Sequence, residues 1–304
     1  MGEVLESRNA TLVIGDRMIH VVFWPYITNL EGRLDLLEKA FPRHSNNWVE
    51  KFSDFHHEYD GAIVVINGGC GTVPDMRVLN DQLRNFRWVL LISIGDEGSS
   101  QHMEWIDHPS ISIWVMEPKP GKHDKFHRVI AGPLSECSRL APPFQVEDRP
   151  LDWFFSGSVR DEEWDKAIRG LSGKSEFYTY HLGYAGYVQR LASAKVVPCR
   201  PCLSIPETCR VYDALEAGCV PIVGTYPLLP NWWQTFGFDW PNYWEYTLGE
   251  IPPFPIIDGP EYLPEAVEQA LSAWPNNAVR VHEWWIDYKE RLVKKLQDQV
   301  QKLR

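Results

Sequence analysis

The chain has 304 residues, 44% hydrophobic and 23% charged, which is room for about two globular domains. Its net charge of −11 argues against a general electrostatic pull toward nucleic acid or an anionic membrane, although a local basic patch stays compatible with it. No apolar run approaches the roughly 20 residues of a membrane span. Residues 1–10 are polar, carry Glu3 and Glu6, and lack the pattern of a secretory signal, so a cytoplasmic protein is expected.

Strand-like runs are expected at 11–14 and 18–24, separated by Gly15-Asp16, with a helix at 30–40. Gly61–Asn67 (GAIVVIN) and Trp88–Ile94 (WVLLISI) are continuous apolar runs of strand length, which suits strands buried on both faces. A helix is expected between them at 74–86 and a further strand at 111–116. Residues 141–150, rich in proline and charge, read as a linker. A second α/β unit follows, with strands at 151–155, 176–180, 195–198 and 219–223 and helices at 161–171, 184–194 and 208–217. The chain closes on an amphipathic helical stretch, 263–300, with a break near Pro275. Strand and helix alternating at this spacing predict an α/β fold of two Rossmann-like lobes with parallel sheets. The lobes are expected at 1–145 and 146–304, with a cleft between them and with the last helix able to pack back on the first lobe. No internal repeat shows in the sequence.

Ligands of parallel sheets bind beyond the carboxyl ends of the strands, which selects the residues to inspect. Gly68-Gly69 follows the strand at 61–67 and can bring backbone close to an acceptor or a sugar, or simply turn the chain. Asp96 and Glu97 follow the strand at 88–94, and a carboxylate there can take a proton from a hydroxyl or cap a helix. Gly157, Ser158 and Arg160 follow the strand at 151–155, where backbone and a cation can meet a phosphate. His181 and Tyr184 follow the strand at 176–180, where a ring can stack on a base or pack on the surface. Trp232, Trp233, Trp240 and Trp244 form an aromatic cluster that suits a core or a cleft wall.

Cys199 and Cys202 have metal-site spacing, but no second C-x-x-C follows, and Cys70, Cys137, Cys209 and Cys219 complete a set of six expected to be reduced thiols. His123 and His127 stand four apart but lack an apolar helical pattern around them, so no metal site is expected. No G-x-G-x-x-G follows any strand, which argues against a dehydrogenase.

Residues 193–226 carry the densest signal. A strand leads through a proline-rich loop to Glu207-Thr208, which opens a helix bearing Arg210 and Asp213 and ending at Gly218. Free N–H groups and a partial positive charge at a helix start suit a diphosphate, which Thr208 and Arg210 can also bond. Asp213, one turn on, can accept from ribose hydroxyls.

The run from Glu207 to Val223 (ETCRVYDALEAGCVPIV) resembles the signature of the exostosin-type glycosyltransferases. Asp152–Gly157 resembles the opening strand of that family's donor lobe, and Trp284–Tyr288 its closing helix. The resemblance covers about residues 150–295 and thins to fold level before that. It implies a GT-B architecture and a metal-independent, inverting transfer that needs no cofactor. The sugar, a hexose or pentose, would move from a nucleotide-diphosphate sugar, a UDP-sugar in the first instance, to an acceptor hydroxyl. Glu207 would point toward the sugar, Arg160 and Arg210 would meet the diphosphate, and Asp96 or Glu97 would be the base. Where relatives carry Gly-Asn-Gly, this chain has Cys202–Pro206, which leaves donor identity open.

Three functions stay in view. The acceptor is expected to be a glycan. The alternative is a phage-type enzyme, working in the host cytoplasm, that glycosylates 5-hydroxymethylated pyrimidines in DNA. Arg33, Lys39, Arg43, His44 and Lys51 would then line a groove for a flipped base. A non-catalytic nucleotide-sugar binding protein would keep the donor motif and lose the base.

Overall fold

Apolar runs such as GAIVVIN and WVLLISI need cover on both faces, and parallel sheets flanked by helices supply it. Two such sheets form in the computed structural model, which describes residues 12–14, 17–23, 39–41, 45–48, 60–67, 76–94, 106–115, 126–128, 141–146, 149–157, 161–179, 182–202, 205–226, 228 and 242–304. The described residues group into two compact units, one made of those up to 128 with Arg291–Arg304, the other of those between 141 and 290.

In the first unit the strands are β1 (Leu12–Ile14), β2 (Arg17–Phe23), β3 (Ser45–Trp48), β4 (Gly61–Asn67), β5 (Trp88–Ile94), β6 (Ile111–Val115) and β7 (Phe126–Arg128). Helix α1 spans Met76–Leu83. All pairs are parallel except β1 with β2. Residues His20–Phe23 of β2 pair with both β3 and β4, so those two strands lie on opposite edges of β2. The order is therefore β3-β2-β4-β5-β6-β7. Ile63, Val64, Leu90, Leu91 and Ile113 are fully buried in the central strands, and Leu79 and Leu83, four apart on α1, are buried with them. Strands β4 and β5 take the bounds their apolar runs predict. Strands β3 and β7 were not expected, because SNNW and FHR carry no apolar run and form by pairing at the sheet edges. The last turns of α7 (Asn276–Leu303) belong here: Gln297 donates to Ala40 O at 2.8 Å, and Ser110 Oγ donates to Leu303 O at 3.1 Å. Of the helix expected at 30–40, Lys39 and Ala40 are helical and 30–38 lie outside the described residues.

The second unit runs β8 (Leu151–Ser156), α2 (Glu162–Arg169), β9 (Ser175–Tyr178), α3 (Tyr184–Ala192), β10 (Ala194–Cys199), α4 (Cys209–Glu216), β11 (Val220–Gly224), α5 (Tyr243–Leu248), β12 (Ile256–Ile257) and α6 (Leu263–Ser272), then α7. Its sheet is wholly parallel, in the order β12-β11-β10-β8-β9. Asp161, expected inside α2, is its N-cap and accepts from Trp164 N at 2.9 Å. Trp164 and Ile168, four apart, turn that helix onto the sheet. Pro275 separates α6 from α7, as its missing N–H requires. Helix α5 and strand β12 were not read from the sequence.

The stretch expected to be a linker is docked instead. Arg149 is buried and donates to Gln145 O, to Ala194 O at 2.7 Å and to Ala217 O at 2.7 Å. The last bond places a cation on the carbonyl end of α4, where the helix dipole favours it. Gly218 follows with φ +72°, and a Cβ there would run into Phe144 and, at 2.9 Å, Arg149 Nη2. Phe144 in turn stacks on His282 of α7, with centroids 4.0 Å apart. A proline-rich composition reads as a linker, but an arginine that bonds three backbone carbonyls fixes it.

Both sheets are wound alike. In each, the first parallel strand, β2 or β8, connects to an edge strand on one side, and the chain then crosses to build outward on the other. The repeat that the sequence conceals is thus one of topology. Connections leaving β8 and β10 run in opposite directions, so right-handed crossovers place α2 and α4 on opposite faces. The packing agrees: α2 lies with α6, and α3 with α4.

Candidate functional site

A sheet wound both ways opens a crevice where two adjacent strands send their connections to opposite faces. In the second unit those strands are β8 and β10. Their ladder is recorded at Ala194↔Leu151 and Val196↔Trp153, and Pro198, which has no N–H to pair, stands two residues further on. Ser156-Gly157 leaves β8 at this crevice, and the chain from Arg200 to Thr208 leaves β10 there.

Arg210 ties the two exits together. It lies in the first turn of α4, yet its Nε and Nη2 donate to Ser156 O at 3.0 and 2.8 Å. Its guanidinium lies 4.8 Å from the centroid of Phe155, whose ring is buried beneath it. Gly157 has φ +157°, and its N–H continues the sheet by donating to Tyr178 O at 3.0 Å. A Cβ on Gly157 would collide with Arg210 Nη2, so the arginine keeps this position only beside a glycine.

Thr208 is the N-cap residue of α4 in extended conformation, but its side chain makes no capping hydrogen bond and the first turn holds no acidic residue. The leading N–H groups thus receive no acceptor from either source.

Asp213, one turn beyond Arg210, is 5% exposed. Tyr187 donates to its Oδ2 at 3.2 Å, and Tyr184 to its Oδ1 across a longer 3.4 Å. Burial and then the Asp213 carboxylate push the Tyr187 phenol well above its ordinary pKa, so it remains a donor. Tyr184, at 36% exposure, is the accessible member of this group. Its ring lies 6.0 Å from that of Tyr187.

Glu207, expected to face a sugar, is 1% exposed and turned into the second unit. Tyr212 donates to Oε1 in a short hydrogen bond, and Tyr243 donates to Oε2 at 2.9 Å. Both oxygens of its carboxylate therefore accept from phenols of the second unit.

The structure thus gathers Gly157, Thr208 and Arg210 at one crevice, sets Asp213 and Tyr184 beside it, and turns Glu207 inward. Ser158, Arg160 and His181 lie outside the described residues, as do Gly68, Gly69, Asp96 and Glu97. Tyr187, Tyr212 and Tyr243 were not picked from the sequence. Tyr212 and Tyr187 stand within the stretches that carry the family resemblance, but nothing in the sequence pairs them with carboxylates.

Cys199 and Cys219 are buried, and burial holds both thiols protonated. Cys209, at the first position of α4, is exposed. Among the described residues no three of His, Cys, Asp or Glu gather as a metal would need, and no helix is long and apolar enough to cross a membrane.

No family model matches this chain, and no curated protein matches it. It is similar to a solved structure described as an alpha1,3-fucosyltransferase, at 11% identity and a TM-score of 0.44, over 95% of this chain and 84% of that one. The strand orders and side-chain geometry define this protein as an α/β protein with two mostly parallel sheets, the second of which ties Arg210 to Ser156 at its switch point.

Proposed function

We propose that the chain is a glycosyltransferase of the GT-B, exostosin-like kind, whose second unit holds a nucleotide-diphosphate sugar. The observation that carries this reading is Arg210, fixed at the switch-point crevice between the exit of β8 and the uncapped start of α4. A cation and free N–H groups at one point suit a diphosphate. Asp213 stands one turn further along α4 with Tyr184 of α3 beside it, and a carboxylate there suits the ribose hydroxyls of an attached nucleoside.

In this reading the diphosphate lies across the first turn of α4 and Gly157, with Arg210 neutralising charge that grows as the bond to the sugar breaks. A base, proposed from sequence alone as Asp96 or Glu97, takes the proton of the acceptor hydroxyl. The oxygen then attacks the anomeric carbon, the nucleoside diphosphate leaves with the bonding electrons, and the configuration inverts. No step requires a metal or cofactor. We propose a UDP-sugar as donor and a glycan as acceptor. The net charge of −11 supports a glycan over 5-hydroxymethylated DNA, the alternative.

A thermal-shift panel of nucleoside diphosphates and nucleotide sugars, with Arg210→Ala beside the wild type, tests the reading. A ligand that binds only the native state raises its melting temperature by mass action. The expected result is a shift with one nucleotide family that Arg210→Ala abolishes. A panel without any shift overturns the donor site. The nucleotide that binds then selects the donor for transfer assays on glycans and on hydroxymethylated DNA.

A further inference from the structure

The carboxylate that precedes α4 is held away from the helix. Glu207 stands one residue before the N-cap, and its two oxygens receive the phenols of Tyr212 and Tyr243. Tyr212 comes from the same helix, five residues on. Tyr243 opens α5, 36 residues away in the chain. Both rings are fully buried and backed by tryptophans: Tyr212 lies 5.9 Å from Trp285, and Tyr243 meets Trp244 edge-on at 5.6 Å.

At this place in the sequence a carboxylate has stronger electrostatic attractors than a phenol. Arg210 follows three residues later in the chain and carries the opposite charge. The N-terminal end of α4, which neither Thr208 nor an acidic first-turn residue caps, also favours a negative charge. Glu207 nonetheless points to the two phenols, and Arg210 points to Ser156.

We propose that Tyr212 and Tyr243 are positioning residues that sequester the Glu207 carboxylate and so keep Arg210 available for the donor diphosphate. The proposal rests on the donor-site reading above. A buried carboxylate that loses one phenol loses one of its donors, which is costly in a dry interior. It turns to Arg210 and the helix start, and there it competes with phosphate for the same donors and repels it. The clamp thereby makes donor affinity depend on α5, an element outside the crevice.

The test is a square of four proteins: wild type, Tyr243→Phe, Glu207→Gln, and the double variant Tyr243→Phe/Glu207→Gln. Each is titrated calorimetrically with inorganic pyrophosphate and with UDP, and each melting temperature is recorded. Tyr243→Phe is expected to weaken pyrophosphate by about tenfold or more, the size of one charge-assisted hydrogen bond. Glu207→Gln, which has no charge to compete, is expected to bind pyrophosphate at least as tightly as wild type. The double variant is expected to return to within about threefold of wild type, a strongly non-additive result. A clamp that serves only to stiffen the fold gives a double variant no better than Tyr243→Phe, and that outcome overturns the proposal. If Tyr243→Phe does not fold, Tyr212→Phe takes its place in the same square. Wild type that binds pyrophosphate or a nucleoside diphosphate while the variants show no rescue defeats the clamp alone. Wild type that binds none of them defeats the donor site, and the clamp proposal with it.

Discussion

Arg210 and Ser156 lie 54 residues apart in the chain, yet two N–H groups of the arginine share the one carbonyl of the serine. The bond fixes a helix-borne cation to the end of the first strand of the second unit. It leaves the remaining N–H groups of the fork for a ligand.

Arg210→Lys keeps the positive charge and loses the fork. Lysine cannot bond Ser156 O through two nitrogens and still present a planar face to Phe155. Affinity for the nucleoside diphosphate found in the panel should fall by about tenfold, with Arg210→Ala lower still. Calorimetric titration of both variants checks the order.

Gly157→Ala should mimic loss of the arginine. Its Cβ would occupy the space of Arg210 Nη2, and the end of a long side chain gives way before a strand does. Donor affinity should drop toward the Arg210→Ala value with a smaller loss in melting temperature. The double variant Gly157→Ala/Arg210→Ala should bind no worse than Arg210→Ala, because both act on one group. Additive losses would show that the glycine serves something else.

Cys209 gives a chemical readout of the same site. It is exposed at the first position of α4, one residue from Arg210, whereas Cys199 and Cys219 are buried with protonated thiols. Iodoacetamide should label Cys209 readily and leave Cys199 and Cys219 untouched in the native protein. A saturating nucleoside diphosphate should slow labelling of Cys209. Peptide mass spectrometry measures each rate separately, and labelling at Cys209 that ignores the nucleotide would place the ligand elsewhere.

Stability should fall on the acid side through His282. Burial first, then Lys289 and Arg149, hold its pKa below the ordinary 6.5, so the ring stacked on Phe144 stays neutral in the folded state. Below pH 6.5 the unfolded chain binds this proton before the folded one does. The contribution is therefore complete above that pH and is lost as pH falls through it toward the lower, folded value. His282→Phe keeps the stack and removes the proton site. Its melting temperature should depend less on pH between about 7 and 5 than that of wild type.

Much of this protein follows from sequence alone. The apolar runs of β4 and β5 are too continuous for a half-exposed strand, so a covered parallel sheet is dictated by composition. Alternation with helices, the break at Pro275 and the place of Arg210 at the head of α4 are local matters of period, missing N–H groups and spacing, and these were legible. Edge strands β3 and β7 were not, because pairing with a formed neighbour, rather than any apolar pattern of their own, makes them strands. The strand orders belong to the tertiary structure as well, and with them the switch points. The same holds for the direction of a charged side chain. Glu207 and Arg210 stand three residues apart with opposite charges, and the sequence alone allows them to pair or to face one ligand together. Which way each turns is decided by Ser156, Tyr212 and Tyr243, brought from elsewhere in the chain or along the helix, because the energy of a carboxylate depends on the donors that surround it after burial.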